Sequence, residues 1–186
     1  DLKERSKVTY HYMHGGFEGT DVRFSYCFPR QEVYKERFFQ HLSPFPGPEE
    51  ELASLPVTGE DDKVGFAITH GAYFVETNMG SKQIFTNSPD KTLTHRSNAA
   101  TAEFSREMAR KYYGSDHRPY GYAYGGSGGG YRTMACIENT NAFDGAVPFV
   151  IGSPYAIPNC QSTRAHAERL LRDKMDVIID AYDAGG

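Results

Sequence analysis

The chain has 186 residues, 39% of them hydrophobic and 24% charged, a balance that fits a globular fold and excludes a disordered chain. Its formal net charge of -4 argues against a nucleic-acid surface or a polybasic membrane patch. No run reaches the about 18 apolar residues of a membrane span, and the length suits one domain over 1–186 with a sizeable core.

Residues 1–35 read as antiparallel strands. Val8 to Met13 alternates and is rich in Tyr, a strand that stops at a turn, His14-Gly15-Gly16. Asp21 to Phe28 is a second strand with Val22, Phe24, Tyr26 and Phe28 on one side, and Phe17 to Thr20 suits the hairpin between the two. Glu36 to Leu42 is a third strand. It runs into Ser43-Pro44-Phe45-Pro46-Gly47-Pro48, a loop that no ladder can continue through.

Glu49 to Leu55 suits a single helical turn. The acids Glu60, Asp61 and Asp62 read as a solvated turn, because no Gly-punctuated ligand loop or partner His accompanies them. Val64 to His70 predicts a short helix closed by Gly71, and Ala72 to Asn78 a core strand whose Glu76 and Asn78 either line a site or anchor a loop. Asn98 to Tyr113 is the clearest helix, capped by Ser97 or Asn98, striped by Ala102, Met108, Ala109 and Tyr112, and stopped by Gly114.

The most informative stretch follows. Tyr120 to Tyr124 is an aromatic strand that enters Gly125-Gly126-Ser127-Gly128-Gly129, and Tyr131 to Asn139 reads as a helix behind it. A serine flanked by glycines between strand and helix has the pattern of a nucleophile elbow, where small neighbours let the backbone bend sharply and the helix N-terminus lies next to the hydroxyl. The bland alternative is a Gly-rich loop with an incidental serine. Phe143-Asp144-Gly145 is then a turn, and Ala146 to Gly152 a buried strand, with Pro148 better suited to an edge. Thr163 to about Tyr182 predicts a charged amphipathic helix. Strands alternating with helices imply an α/β fold, a mostly parallel sheet with helices on both faces.

These residues resemble the α/β-hydrolase superfamily, most closely its tannase and feruloyl-esterase-like branch. Glu36 to Gly47 is similar to the third strand and oxyanion loop, Gly71 to Asn78 to the next strand, Gly125 to Gly129 to the elbow, and Phe143 to Val147 to the start of the following strand. The core would then be 36–186, with the elbow at 125–129. One departure stands out: tannase-like enzymes carry Cys before the nucleophile, and this chain has Gly126.

The resemblance implies a serine hydrolase acting on a small-molecule carboxylic ester, with Ser127 as catalytic nucleophile. The oxyanion donors would be the N–H of Gly128 and that of Leu42 or Ser43, in preference to the His-Gly-Gly at 14–16, which lies too early in the strand order. His41, Phe45, Tyr124 and Glu76 are candidate substrate-binding residues; Tyr122, Tyr124, Phe45 and Phe149 hint at an apolar pocket, although each is equally a core aromatic.

The family order is Ser, then acid, then His. After Ser127 the only histidine is His166, inside a charged helix. Asp144 precedes its strand, away from the elbow, and Asp173, Asp176, Asp180 and Asp183 are helix-face charges. The expectation is therefore a chain lacking the last strands of the fold, with the acid and the histidine on a second polypeptide.

Other acyl chemistry (a lactonase, an acyltransferase, a C–C hydrolase) and a non-catalytic hydrolase-derived binding subunit are the alternatives. No metal or nucleotide cofactor is expected, for want of a ligand-spaced His/Cys cluster and of a Lys-Ser/Thr after the glycines. A first residue Asp1 and three cysteines, Cys27, Cys136 and Cys160, are slender grounds for a processed, secreted chain.

Overall fold

The computed structural model describes residues 8–44, 61–80, 94–151, 166–167 and 169–185. The chain forms two compact units, Asp1–Gly152 and Ser153–Gly186.

The first unit is a six-stranded sheet with helices on both faces. Its strands are β1 (Tyr10–Gly16), β2 (Arg23–Pro29), β3 (Arg37–His41), β4 (Ala72–Thr77), β5 (Tyr120–Ser127) and β6 (Gly145–Ile151), in the spatial order β1-β2-β4-β3-β5-β6. β1, β2 and β4 pair antiparallel, whereas β4, β3, β5 and β6 run parallel. His14-Gly15-Gly16 is not a turn: the three residues pair with Ser25, Phe24 and Arg23, and the chain reverses over the residues that follow.

β4 is buried along its whole length, so its two faces sort the core. Tyr73 and Val75 join Phe24, Tyr26, Phe28 and Phe38 on one face, beneath helix α2 (Thr94–Tyr113). Ala72 and Phe74 join Cys27 on the other, beneath helix α1 (Lys63–Thr69), which contributes Val64, Ala67 and Ile68. Asp62 belongs to no solvated turn. It is 5% exposed and caps α1, its Oδ1 accepting from Gly65 N at 2.8 Å.

α2 starts at Thr94, before both expected caps, so Ser97 and Asn98 lie inside the helix. Its buried stripe is more polar than an apolar pattern predicts. Gln40 Nε2 donates to Asn98 Oδ1 at 3.0 Å, Tyr26 OH to Thr101 O at 3.0 Å, and the Tyr73 hydroxyl meets Ser105 Oγ at 3.0 Å. Arg106, 4% exposed, donates to Pro119 O and stacks over Phe38. Buried Tyr113, not half-exposed Tyr112, carries the end of the stripe, its hydroxyl donating to Pro29 O at 2.7 Å. Aromatic hydroxyls on the sheet need acceptors, and a helix of small polar residues supplies them.

β6 is not a buried strand. It ends the sheet, with Val147 62%, Phe149 50% and Ile151 47% exposed, and among the described residues no strand pairs with its outer edge. Pro148 is at home there. In the second unit a 3₁₀ turn at Arg172–Lys174 precedes helix α4 (Met175–Asp183), which breaks the single helix expected from residue 163. Among the described residues no helix is long and apolar enough to cross a membrane.

Candidate active site

Ser127 ends β5, and Gly128 begins helix α3 (Gly128–Asn139). The serine has φ 55° and ψ -122°, a conformation that favours glycine and that L-residues hold only where the surroundings impose it. The chain around it is held tightly. A Cβ at Gly129 would lie 2.0 Å from Leu42 O, and one at Gly125 2.6 Å from the same atom. The loop after β3 therefore sits directly on the elbow, and only glycine permits that approach.

The bend leaves Ser127 exposed, and its hydroxyl makes no capping bond to the helix it precedes. α3 is 12 residues long, so its first N–H groups, Gly128 among them, have no intrahelical acceptor, and its positive end faces the serine. The site has the parts for receiving a developing negative charge beside a hydroxyl nucleophile.

The loop carries the other expected donor. Leu42 N–H is committed to Tyr124 O at 2.9 Å, continuing the β3–β5 ladder, so it does not serve as a second oxyanion donor. Pro44 has no N–H, and Ser43, the other expected donor, stands between it and Leu42 in this loop. Arg132, on α3, holds this loop: its Nη1 donates to Ser43 O at 2.6 Å and to Pro44 O at 2.5 Å. Sequence reading passed over Arg132; a lone cation in an otherwise Gly-rich and apolar helix start was its only signal.

His41 and Tyr124 are direct partners across β3 and β5, with ring centroids 5.3 Å apart, and Glu76 follows the β4 residue paired with Gln40. The three form a row across the sheet. Burial, reinforced by the charge of Lys63, pushes the His41 imidazole from 6.5 down to about 3, so it is neutral at ordinary pH. Burial, with the Glu76 carboxylate adding to it, raises the Tyr124 phenol. Among the described residues, His41 Nδ1 and Tyr124 OH are buried without a hydrogen-bond partner. These candidates for substrate contact thus lie within the protein beside the elbow, and Phe45 falls outside the described residues. Asn78 anchors a loop, accepting from Arg23 N and Gly80 N and donating to Asp21 O.

Tyr122, Tyr124 and Phe149 line, with Phe39, Phe66, Ala123 and Val147, an apolar cavity of 310 Å³ on the α1 face. Phe149 also explains Gly126. A Cβ there would lie 2.5 Å from the Phe149 ring, so a cysteine at this position needs that ring to move. Cys27 and Cys136 are buried free thiols, each pushed up by burial to about 12; Cys160 is not described.

Asp144 is a strut at the opposite end of β5. It accepts from Gly121 N at 2.7 Å, Arg118 Nη1 at 2.7 Å and Arg106 Nη2 at 3.1 Å. Partial burial opposes its ionisation, but the Gly121 N–H and then the two arginines outweigh that and hold the carboxyl below its ordinary range. Ser127 lies six steps along β5 from Gly121, roughly 20 Å, so Asp144 does not orient a base at the elbow. His166 is helical and exposed in the second unit. Among the described residues no group of His, Cys, Asp and Glu is placed to hold a metal.

No protein-family model matches the chain, and no curated protein does. Solved structures match it. Tannin acyl hydrolase from Aspergillus niger superposes with a TM-score of 0.51 at 19% identity, over 75% of this chain and 27% of that one. Brefeldin A esterase, a bacterial homologue of human hormone sensitive lipase, gives 0.48 at 13% identity, over 80% and 41%. An acetyl xylan esterase from Paenibacillus sp. R4 gives 0.43 at 11%, over 77% and 54%. At these identities the likeness is one of fold. The strand order, the antiparallel start and the strand–Ser–helix bend define the α/β-hydrolase fold, and the chain spans about a quarter of the length of the tannin acyl hydrolase.

Proposed function

We propose that the protein is a serine hydrolase that cleaves a carboxylic ester through an acyl-enzyme at Ser127. The observation that carries this reading is the φ of 55° at an exposed serine between β5 and α3, packed against the loop after β3. A general base removes the Ser127 proton as Oγ attacks the ester carbonyl. The resulting oxyanion is received by Gly128 N–H and Ser43 N–H at the positive end of α3. Collapse releases the alcohol, which takes up the proton, and water then hydrolyses the acyl-serine by the same steps.

The base and its orienting acid belong, in this proposal, to a second polypeptide. Support comes from Asp144 being tied up roughly 20 Å from the elbow, from a His41 held neutral by burial, and from the exposed apolar edge of β6. The apolar, aromatic lining beside β5 and β6 supports an ester with an apolar acyl or alcohol group.

Denaturing, reducing mass spectrometry of the active protein tests the arrangement. A second polypeptide with a histidine and an acid is expected beside this chain. Full esterase activity from the 186-residue chain alone would sink the two-piece reading while leaving Ser127 in place.

A further inference from the structure

Arg132 lies five residues after Ser127, on the helix that Ser127 precedes, yet its side chain bonds away from that helix. One nitrogen, Nη1, donates to two consecutive carbonyls, Ser43 O at 2.6 Å and Pro44 O at 2.5 Å. In an extended chain successive carbonyls point to opposite sides, so both reach one nitrogen only where the loop has left the strand conformation. The guanidinium therefore fixes the backbone immediately after β3 in one particular bend.

The setting makes that bond consequential. On one side of the loop Leu42 O presses on Gly125 and Gly129, and on the next two residues Arg132 holds the carbonyls. The guanidinium thus ties the helix that follows Ser127 to the loop that carries Ser43. Burial also lowers the Arg132 guanidinium, and placing a charge there against neutral carbonyls is a costly arrangement for mere packing.

We infer that Arg132 is a positioning residue, holding the Ser43 amide in register with Ser127 so that the oxyanion hole is formed before substrate arrives. The inference rests on the reading of Ser127 and Ser43 given above. A hole held in place in advance accelerates the attack without tightening substrate binding, because the charge it receives exists only in the transition state. Lysine at 132 keeps the charge but lacks the planar, pre-organised guanidinium, and so restores only part of the geometry.

The test compares the wild type with Arg132→Met and Arg132→Lys in the intact active protein. It follows the maximal rate of Ser127 phosphonylation by a fluorophosphonate together with its half-saturating concentration. The expected result is a maximal rate about 10- to 100-fold lower in Arg132→Met, a half-saturating concentration within about threefold of wild type, and an intermediate rate in Arg132→Lys. Thermal unfolding of each variant is measured alongside. Equal maximal rates in all three proteins overturn the inference, and so does an Arg132→Lys rate no better than that of Arg132→Met when both melt alike. If Arg132→Met does not fold, Arg132→Lys alone decides: a slowed rate at unchanged melting temperature supports the role, and an unchanged rate removes it. A wild type that is not labelled at Ser127 ends the underlying reading first, an outcome distinct from normal labelling that ignores Arg132.

Discussion

At the scale of single residues, burial sets the chemistry of the side chains around the elbow. His41 illustrates it. Its imidazole is held neutral down to about pH 3, whereas in the unfolded chain it takes up a proton near 6.5. Between those values the unfolded state binds more protons, so stability falls as the pH drops from about 6.5 toward 3, by at most roughly 1.4 kcal/mol per unit. Replacing the group with one that does not titrate removes that slope. Urea unfolding of His41→Gln across this window is expected to show a flatter pH dependence than the wild type. Equal slopes would mean that the native imidazole protonates freely. Ser127 is the opposite case, a residue whose backbone conformation is imposed by what surrounds it. The glycines at 125 and 129 made the elbow legible in the sequence, because their spacing encodes that constraint directly. The neutral state of His41 was not legible, since it depends on Tyr124 and Lys63 being brought beside it by the sheet and α1.

Among elements, the decisive contact is between the β5–α3 bend and the loop after β3. Its tightness yields a direct expectation for Gly129→Ala. The new methyl would lie 2.0 Å from Leu42 O, in the loop after β3, so helix and loop must separate. A loss of at least about 3 kcal/mol in denaturant unfolding is expected, with activity lost in whatever folded fraction remains. A loss under about 1 kcal/mol would contradict the close approach. Element boundaries from sequence held where turn chemistry was local, as at Gly71 and Gly114, both at positive φ. They slipped where tertiary pairing decided. The His-Gly-Gly run at 14–16 became strand because β2 lies alongside it, and the buried stripe of α2 turned polar because Tyr26, Tyr73 and Gln40 present hydrogen-bonding groups to it. Arg132 escaped notice for the same reason: its partners are about 88 residues away in the chain.

For the molecule as a whole, the fold was legible because strands alternating with helices imply a mostly parallel sheet with helices on both faces, and the elbow marks where one strand turns into its helix. The exposure of β6 was not, since an apolar run reads the same whether its neighbour lies in the same chain or in another. That exposed edge, and the distance of Asp144 from the elbow, motivate the second polypeptide. The central claim nevertheless concerns one atom, the Ser127 hydroxyl oxygen. Fluorophosphonate labelling of the intact protein, followed by peptide mass mapping, tests it most directly. A single stoichiometric adduct is expected on the peptide containing Ser127, absent in a folded Ser127→Ala variant. No adduct on the folded wild type, or an adduct that persists in Ser127→Ala, would contradict it.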